Sequence, residues 1–340
     1  MWNPRNIFNE SKWLAAIITA IVIGIVVCAI DVINVDGNEE KYQISVIVDD
    51  SNSARWDSFQ IGLRQAAREK GIRLNYVTTD FEASPEKEKV LIDQEIKNGA
   101  DALIIQPCSE NGAPDILSDI PEDICIELID NELEIDNLVN KNISYIGADS
   151  DEIGTELAVR IKQEYGNFTG LRIGILAGNL KLTSNQERID AFKRISRESG
   201  ARIVFSVEAT LLSEREIGEL VKTNKADILV ALDNDVTETA AEYIQKVENY
   251  NTYPSNEQKN VKLFGIGCSP ENINNLDKGT TKGLIVINEY EMGYMAIIEL
   301  SDKLMGRNSE VNNYTVGYTY ATGDTMYDEG NQQIIFPIGE

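Results

Sequence analysis

The chain has 340 residues, more than one typical domain holds, and its 42% hydrophobic and 26% charged content exclude wholesale disorder. Against 31 basic residues stand 56 acidic ones, a formal net charge of −25 that repels phosphate backbones and excludes nucleic acid as a partner. Histidine is absent, which removes histidine-based triads, histidine metal ligands and the usual proton shuttle of neutral pH.

The first element in chain order is the uncharged run Trp13–Ile30 (WLAAIITAIVIGIVVCAI), about the minimum length of a membrane-spanning helix. Arg5 and Lys12 precede it, and Asp31, Asp36, Glu39 and Glu40 follow, so the positive-inside rule places the N-terminus in the cytoplasm and the rest outside. A cleaved signal wants a shorter core ending in small residues. A lipoprotein wants small residues before its cysteine, where Val26 and Val27 stand. Residues 1–35 are therefore expected to be a cytoplasmic stub and uncleaved anchor, and 36–41 a polar tether.

Beyond the tether, short apolar runs alternate with amphipathic stretches, the pattern of βαβ units and a parallel sheet. Ile44–Val48 reads as a buried strand. Trp56, Phe59, Leu63 and Ala66 line one face of a helix that Gly71 ends. Strands at Arg73–Val77, Ala102–Ile105, Ile124–Ile129 and Ser144–Ile146 follow, with a helix over Glu86–Asn98 between the first two. Past residue 170 the pattern recurs. Ile173–Leu176 is a strand and Asn185–Glu198 a helix, with a capping box expected from Ser184 and Glu187, and Gly200 at its end. The spacing from Ile44 to Gly71 equals that from Ile173 to Gly200, EKGIRL (69–74) parallels ESGARI (198–203), and ADALIIQP (100–107) parallels ADILVALD (226–233). A repeat of this length means two homologous α/β domains, with ligand expected beyond the carboxyl ends of their strands.

Chemical motifs are few. Cys28 lies in the apolar run, and Cys108, Cys125 and Cys268 are scattered without CxxC spacing; they read as small buried residues, and neither metal nor cofactor is expected. DNELEID (130–136) lacks the central glycine of a calcium loop and reads as a solvated acidic turn. No glycine loop fits a nucleotide fingerprint.

The stretches VDDSNSARWDSFQIGLRQAAREKGI, GADALIIQP, IELIDNE, YIGAD, TSNQERIDAFKR, ILVALDND, LFGIG and VINEYEMGYMA, in this order and spacing, resemble the periplasmic sugar-binding proteins of the ribose-binding type, relatives of the effector domains of lac-repressor-type regulators. The similarity runs from Tyr42 to about Asn312. It implies a type I periplasmic binding protein: two Rossmann-like lobes with parallel sheets, 42–149 plus 289–316 and 150–288 plus 317–340. Three hinge strands would join them near Asp149, Asn288 and Val316, and the lobes would close on a ligand by bending. Carried over position by position, the resemblance points to the loop Asp49–Trp56, with Asn52 in a polar role and Trp56 in a stacking one. Asp130 and Asn131 match an acid–base pair of which only the acid survives. Arg188 matches an arginine before a helix-borne phenylalanine, and Asp233 and Asn234 match polar residues after ILVAL. Departures stand at Gly267, where an aspartate is usual, and at Ile287, where the hinge glutamine is replaced and Asn288 lies beside it.

Sugars need in-plane carboxylates and amides plus an aromatic plate. Asp50, Asn52, Asp130, Arg188, Asp233 and Asn234 would supply the first and Trp56 the second. The plainer reading of each is also open: Trp56 as core, Asp49 or Asp50 as a helix cap, Arg188 as a solvated helix residue, Asn234 as a cap. Asp130 and Arg188, on opposite lobes, are expected to meet only through a ligand. Their alanine variants are expected to leave the unliganded melting point nearly intact. The resulting expectation is a monomeric, non-catalytic capture unit for a monosaccharide or similar polyol, delivering to an ABC permease. One alternative is an ectodomain that regulates a membrane sensor histidine kinase; another is a carboxylate-based glycosidase.

Overall fold

The computed structural model describes residues 42–79, 84–133, 142–249, 261–307 and 313–338. The expected anchor and tether lie outside these residues, as do 134–136 of the acidic turn; its described part is not solvated as expected, because Asp130, Asn131 and Leu133 fold inward and are buried. Among the described residues no helix is long and apolar enough to cross a membrane.

Two six-stranded sheets form the frame. The first comprises β1 (Tyr42–Ile47), β2 (Ile72–Tyr76), β3 (Ala102–Ile105), β4 (Cys125–Ile129), β5 (Ile143–Gly147) and β11 (Tyr314–Thr315). Their spatial order is β11-β5-β4-β3-β1-β2, every pair parallel. The second comprises β6 (Arg172–Ala177), β7 (Arg202–Glu208), β8 (Ile228–Ala231), β9 (Lys262–Ile266), β10 (Thr281–Ile287) and β12 (Tyr318–Ala321), in the order β12-β10-β9-β8-β6-β7. Here the expectation of parallel sheets needs one correction: β12 runs antiparallel to β10. Only Val316–Gly317 separate β11 from β12, so the chain enters the second sheet at the carboxyl ends of its strands, beside the end of β10, and runs back along it.

The helices are α1 (Asp57–Lys70), α2 (Pro85–Lys97), α3 (Ala113–Ser118), α4 (Ser150–Tyr165), α5 (Thr183–Glu198), α6 (Glu214–Asn224), α7 (Asn234–Asn249), α8 (Pro270–Asp277), α9 (Glu289–Leu304) and α10 (Glu329–Ile335). Strands buried on both faces read as unbroken apolar runs because helices cover both sides. Val46 and Val48 of the first strand region pack with Phe59, Leu63 and Ile297, whereas Ile47 packs with Ile92, Leu103 and Ile105 on the other face. The repeat is visible in the backbone: β1-α1-β2 and β6-α5-β7 have the same order, and both helices end where a glycine, Gly71 (φ 64°) or Gly200 (φ 86°), takes the left-handed conformation.

The chain passes between the lobes three times. It leaves β5 for α4, whose first amides are capped by Asp149, its carboxylate accepting from Glu152 N–H at 2.8 Å. It returns from β10 into α9, where Asn288 caps Glu291 N–H. Last, it runs from β11 to β12. Backbone bonds tie these passages together: Val316 N–H to Gly147 O and Asn288 N–H to Gly317 O, both 2.9 Å.

In each lobe one helix pair packs at close approach because glycine leaves the room. A Cβ on Gly293 of α9 would lie 2.2 Å from the Phe59 carbonyl of α1, and one on Gly154 of α4 would lie 2.2 Å from the Arg188 carbonyl of α5. Gly154→Ala is therefore expected to destabilise the fold by about 1–3 kcal/mol, read as a lower midpoint in urea. An unchanged midpoint would show that α4 and α5 separate freely.

Candidate functional site

The carboxyl ends of the strands of both sheets converge on one cavity of about 500 Å³, within the usual range for small-molecule sites. The first lobe contributes Asp49, Arg55, Gln106, Asp130, Asn131 and Glu289; the second contributes Asn185, Arg188, Asp233, Asn234 and Asp235.

Asp130 is the centre of the arrangement. It sits just past β4 at φ 62°, with Asn131 N–H bonded back to Ile129 O at 2.6 Å across it. A non-glycine residue held there is strained, and the strain turns the carboxylate toward the cavity. Its Oδ2 accepts from Arg55 Nη2 at 2.9 Å and Gln106 Nε2 at 2.8 Å. Burial pushes its pKa up, but Arg55, Arg188 and the Gln106 bond outweigh burial and hold it below the usual carboxylate range. Burial likewise works against the Arg55 charge, and Asp130, Glu289 and Asp233 more than offset it.

Arg188 (6% exposed) lies 3.7 Å from Asp130 Oδ1, across the gap between lobes. The two charges thus meet directly, contrary to the expectation that only a ligand joins them. Further direct contacts span the gap: Ser184 Oγ donates to Asn131 Oδ1 at 2.9 Å, and Cys268 Sγ donates to Arg55 O at 3.3 Å. The expected capping box is absent, because α5 begins at Thr183, one residue before Ser184, which frees that hydroxyl for Asn131.

Four expected residues do not line this cavity. Trp56 is fully buried, edge-on to Phe59 at 5.4 Å between ring centroids, and its Nε1–H donates to Asp49 O at 3.0 Å. Arg55 covers its ring at 4.2 Å. The expected plate is therefore core, and no aromatic side chain is among the cavity's lining residues. Asp50 (φ 39°) and the exposed Asn52 belong to the turn that leads to the short 3-10 segment Ala54–Trp56. The Asn288 carboxamide is occupied in capping α9, and its neighbours Ile287 and Glu289 reach the cavity instead.

Asp130, Asn131, Arg188, Asp233 and Asn234 do line it, with divided tasks. Asp233 caps α7, accepting from Asp235 N–H at 3.1 Å. Asn234 Oδ1 ties β8 to β9 by accepting from Cys268 N–H, Ser269 N–H and Asn272 Nδ2. Asn131 Nδ2 donates to Pro107 O at 2.9 Å.

Sequence reasoning missed Arg55, Gln106, Asn185 and Glu289, and passed over Asp49 as a cap. Glu289 looks like an ordinary acid in a helix's first turn. It is 4% exposed, and burial, reinforced by the nearby Asp130 charge and opposed by Arg55 and Arg188, pushes its pKa up to about 7. Burial pushes Asp49 up to about 6 and raises Asp233 as well. Buried atoms without hydrogen-bond partners gather here: Asp49 Oδ1, Arg55 Nε, Asn185 Oδ1, Arg188 Nε and Glu289 Oε2. Donors and acceptors thus stand ready together. Among the described residues no group of three histidine, cysteine or acidic side chains is placed to hold a metal ion.

Two outcomes follow from this electrostatics. Asp130→Ala strands the buried Arg55 guanidinium, so the unliganded protein is expected to lose on the order of 3 kcal/mol or more in denaturant titration. That reverses the expectation of an intact melting point. Arg188→Ala leaves the Arg55–Asp130 pair whole and should cost markedly less. A Glu289 carboxyl raised from 4.5 to about 7 supports the fold most below pH 4.5, and that support is lost as pH rises to about 7. Glu289→Gln should therefore gain on the parent between pH 5 and 8, by roughly 2 °C or more in melting temperature. A gap that stays constant with pH would contradict the burial of this acid.

Comparison with known proteins agrees with this architecture. A glucose-galactose binding protein from Geobacillus stearothermophilus superposes with a TM-score of 0.71 at 19% identity, covering 84% of this chain and 99% of that one. An ABC transporter solute binding protein from Agrobacterium vitis, bound with alpha-D-tagatopyranose, gives 0.75 at 16% identity, with 88% and 100% covered. The XylFII-LytSN complex gives 0.70 at 18% identity, with 84% and 98% covered. No curated protein sequence matches the chain. The family model described as periplasmic binding protein domain matches residues 44–308, most of the two-lobed frame, and the chain belongs to that family.

Proposed function

We propose that this chain is an extracytoplasmic solute-binding protein that captures a small, hydroxyl-rich ligand of the sugar class between its lobes and presents it to an ABC importer. One observation carries the reading: unpartnered buried donors (Arg55 Nε, Arg188 Nε) and acceptors (Asp49 Oδ1, Asn185 Oδ1, Glu289 Oε2) line a single interlobe cavity. A sugar hydroxyl donates and accepts at once, and it satisfies both kinds of group where an apolar ligand would leave both desolvated. Support also comes from structural neighbours solved with D-arabinose and D-fucose. The chain binds without converting its ligand.

Asp149, Asn288 and Val316 mark the three crossings about which the lobes bend, and the contacts Asp130–Arg188 and Asn131–Ser184 favour the closed form. The apolar run 13–30 anchors the chain in the cell membrane with both lobes outside, a monomeric unit beside its partner. A second reading, regulation of a membrane sensor kinase, is favoured by the neighbour XylFII, solved in complex with LytSN.

The test is a thermal-shift screen of the full chain, in mild detergent, against a panel of pentoses, hexoses and their derivatives. A ligand at a hundred times its dissociation constant adds about 2.7 kcal/mol. The parent should shift by several degrees with at least one sugar, Arg188→Ala should lose the shift, and chromogenic glycosides should give no product. A panel without any shift would sink the sugar reading, and turnover would sink the non-catalytic one.

A further inference from the structure

The cavity is not balanced in charge. Five carboxylates line its inner walls, Asp49, Asp130, Asp233, Asp235 and Glu289, against the two guanidinium groups of Arg55 and Arg188. Both guanidiniums converge on one acid, Asp130, at 2.9 and 3.7 Å. Lys87, Lys181 and Glu208 border the same cavity and add a single net positive charge. The remaining acids face each other from both sides. Asp49 of the first lobe lies within electrostatic range of Asp235 in the second, and Asp235 within range of Asp233. Like charges brought together by closing lobes oppose the closure unless something positive lies between them. Glu289 adds a second, independent sign of an absent partner, since it is 4% exposed, lines the cavity and leaves Oε2 without a hydrogen-bond partner. Among the described residues no group of three acidic or cysteine side chains is placed to hold a metal ion. The aromatic plate that neutral sugars favour is absent as well, its place taken by the Arg55 guanidinium lying over buried Trp56.

We propose that the ligand is a sugar bearing a protonated amine, its ammonium received by the carboxylates with which Arg55 and Arg188 form no direct ion pair: Glu289, and Asp49 opposite Asp233 and Asp235. This rests on the sugar reading above and names its chemical class. An ammonium offers three donors and no acceptor, which suits carboxylate oxygens without partners. The hydroxyls would still meet Asn185, Gln106 and the two guanidiniums, which offer acceptors and donors for them.

Isothermal titration of the full chain in mild detergent at pH 7.5 tests the proposal. The probes are D-glucosamine, D-galactosamine and D-mannosamine, each beside its neutral parent and its N-acetyl derivative, with putrescine as an amine lacking the polyol frame. At least one amino sugar should bind tenfold or more tighter than both its parent and its N-acetyl form. That ratio should fall toward one in Glu289→Gln and in Asp235→Asn, the second variant serving if the first does not fold. Neutral parents binding as tightly as the amino sugars would overturn the proposal and leave the sugar reading standing. Putrescine binding as tightly as the best amino sugar would also overturn it, because the hydroxyls would then play no part. Silence across the whole panel would overturn the sugar reading and this inference together.

Discussion

Everything at the cleft is organised around one buried carboxylate and the two guanidiniums that reach it from opposite lobes. Arg55 is the strongest of the influences that keep buried Asp130 ionised, and Asp130 the strongest of those that offset the burial of Arg55. A strained backbone turn, a glutamine from the neighbouring strand and the Trp56–Asp49 bond all hold that pair in place. Arg188 then extends the pair across the gap, so the same charge that steadies the first lobe attracts the second. Stability of one lobe and contact between the two are consequently the same electrostatic fact, which is why Asp130 cannot be judged as a binding residue alone.

The frame was largely legible in the sequence because its signals are local. Apolar runs, helix-ending glycines and equal spacing of the two halves state the strand–helix alternation directly, and Gly71 and Gly200 adopt the left-handed backbone that their positions imply. The antiparallel β12 was not legible, since its direction follows from the sheet it comes from: it enters directly from β11 of the first lobe and so starts at the cleft end of the second sheet. The cavity was legible only in part. Residues at fixed offsets in the family's loops, such as Asp130 and Arg188, fell where the resemblance put them in the chain, and the structure brings them together. Trp56 failed as a plate because the helical stripe it begins, with Phe59 and Leu63, is core, the alternative its spacing also allowed. Arg55 and Glu289 were invisible for the opposite reason. Nothing in a charged residue beside a tryptophan, or an acid opening a helix, announces that tertiary packing will bury it.

Close helix packing by glycine recurs in both lobes and links rigidity to the site. The Gly154 contact presses on the backbone of Arg188 itself, so the position of a cavity-lining guanidinium is set by the helix behind it. The equivalent contact at Gly293 lies four residues after Glu289 on the same helix. Each lobe thereby fixes one charged wall of the cleft through an otherwise unremarkable gap in a side-chain row.

The three passages between the lobes are laced to one another by the amides of Val316 and Asn288. Pins set in a row and mutually fastened resist being moved one at a time: sliding one passage past another would break the lacing. Two backbone hydrogen bonds thus fasten three separate stretches of chain into one seam.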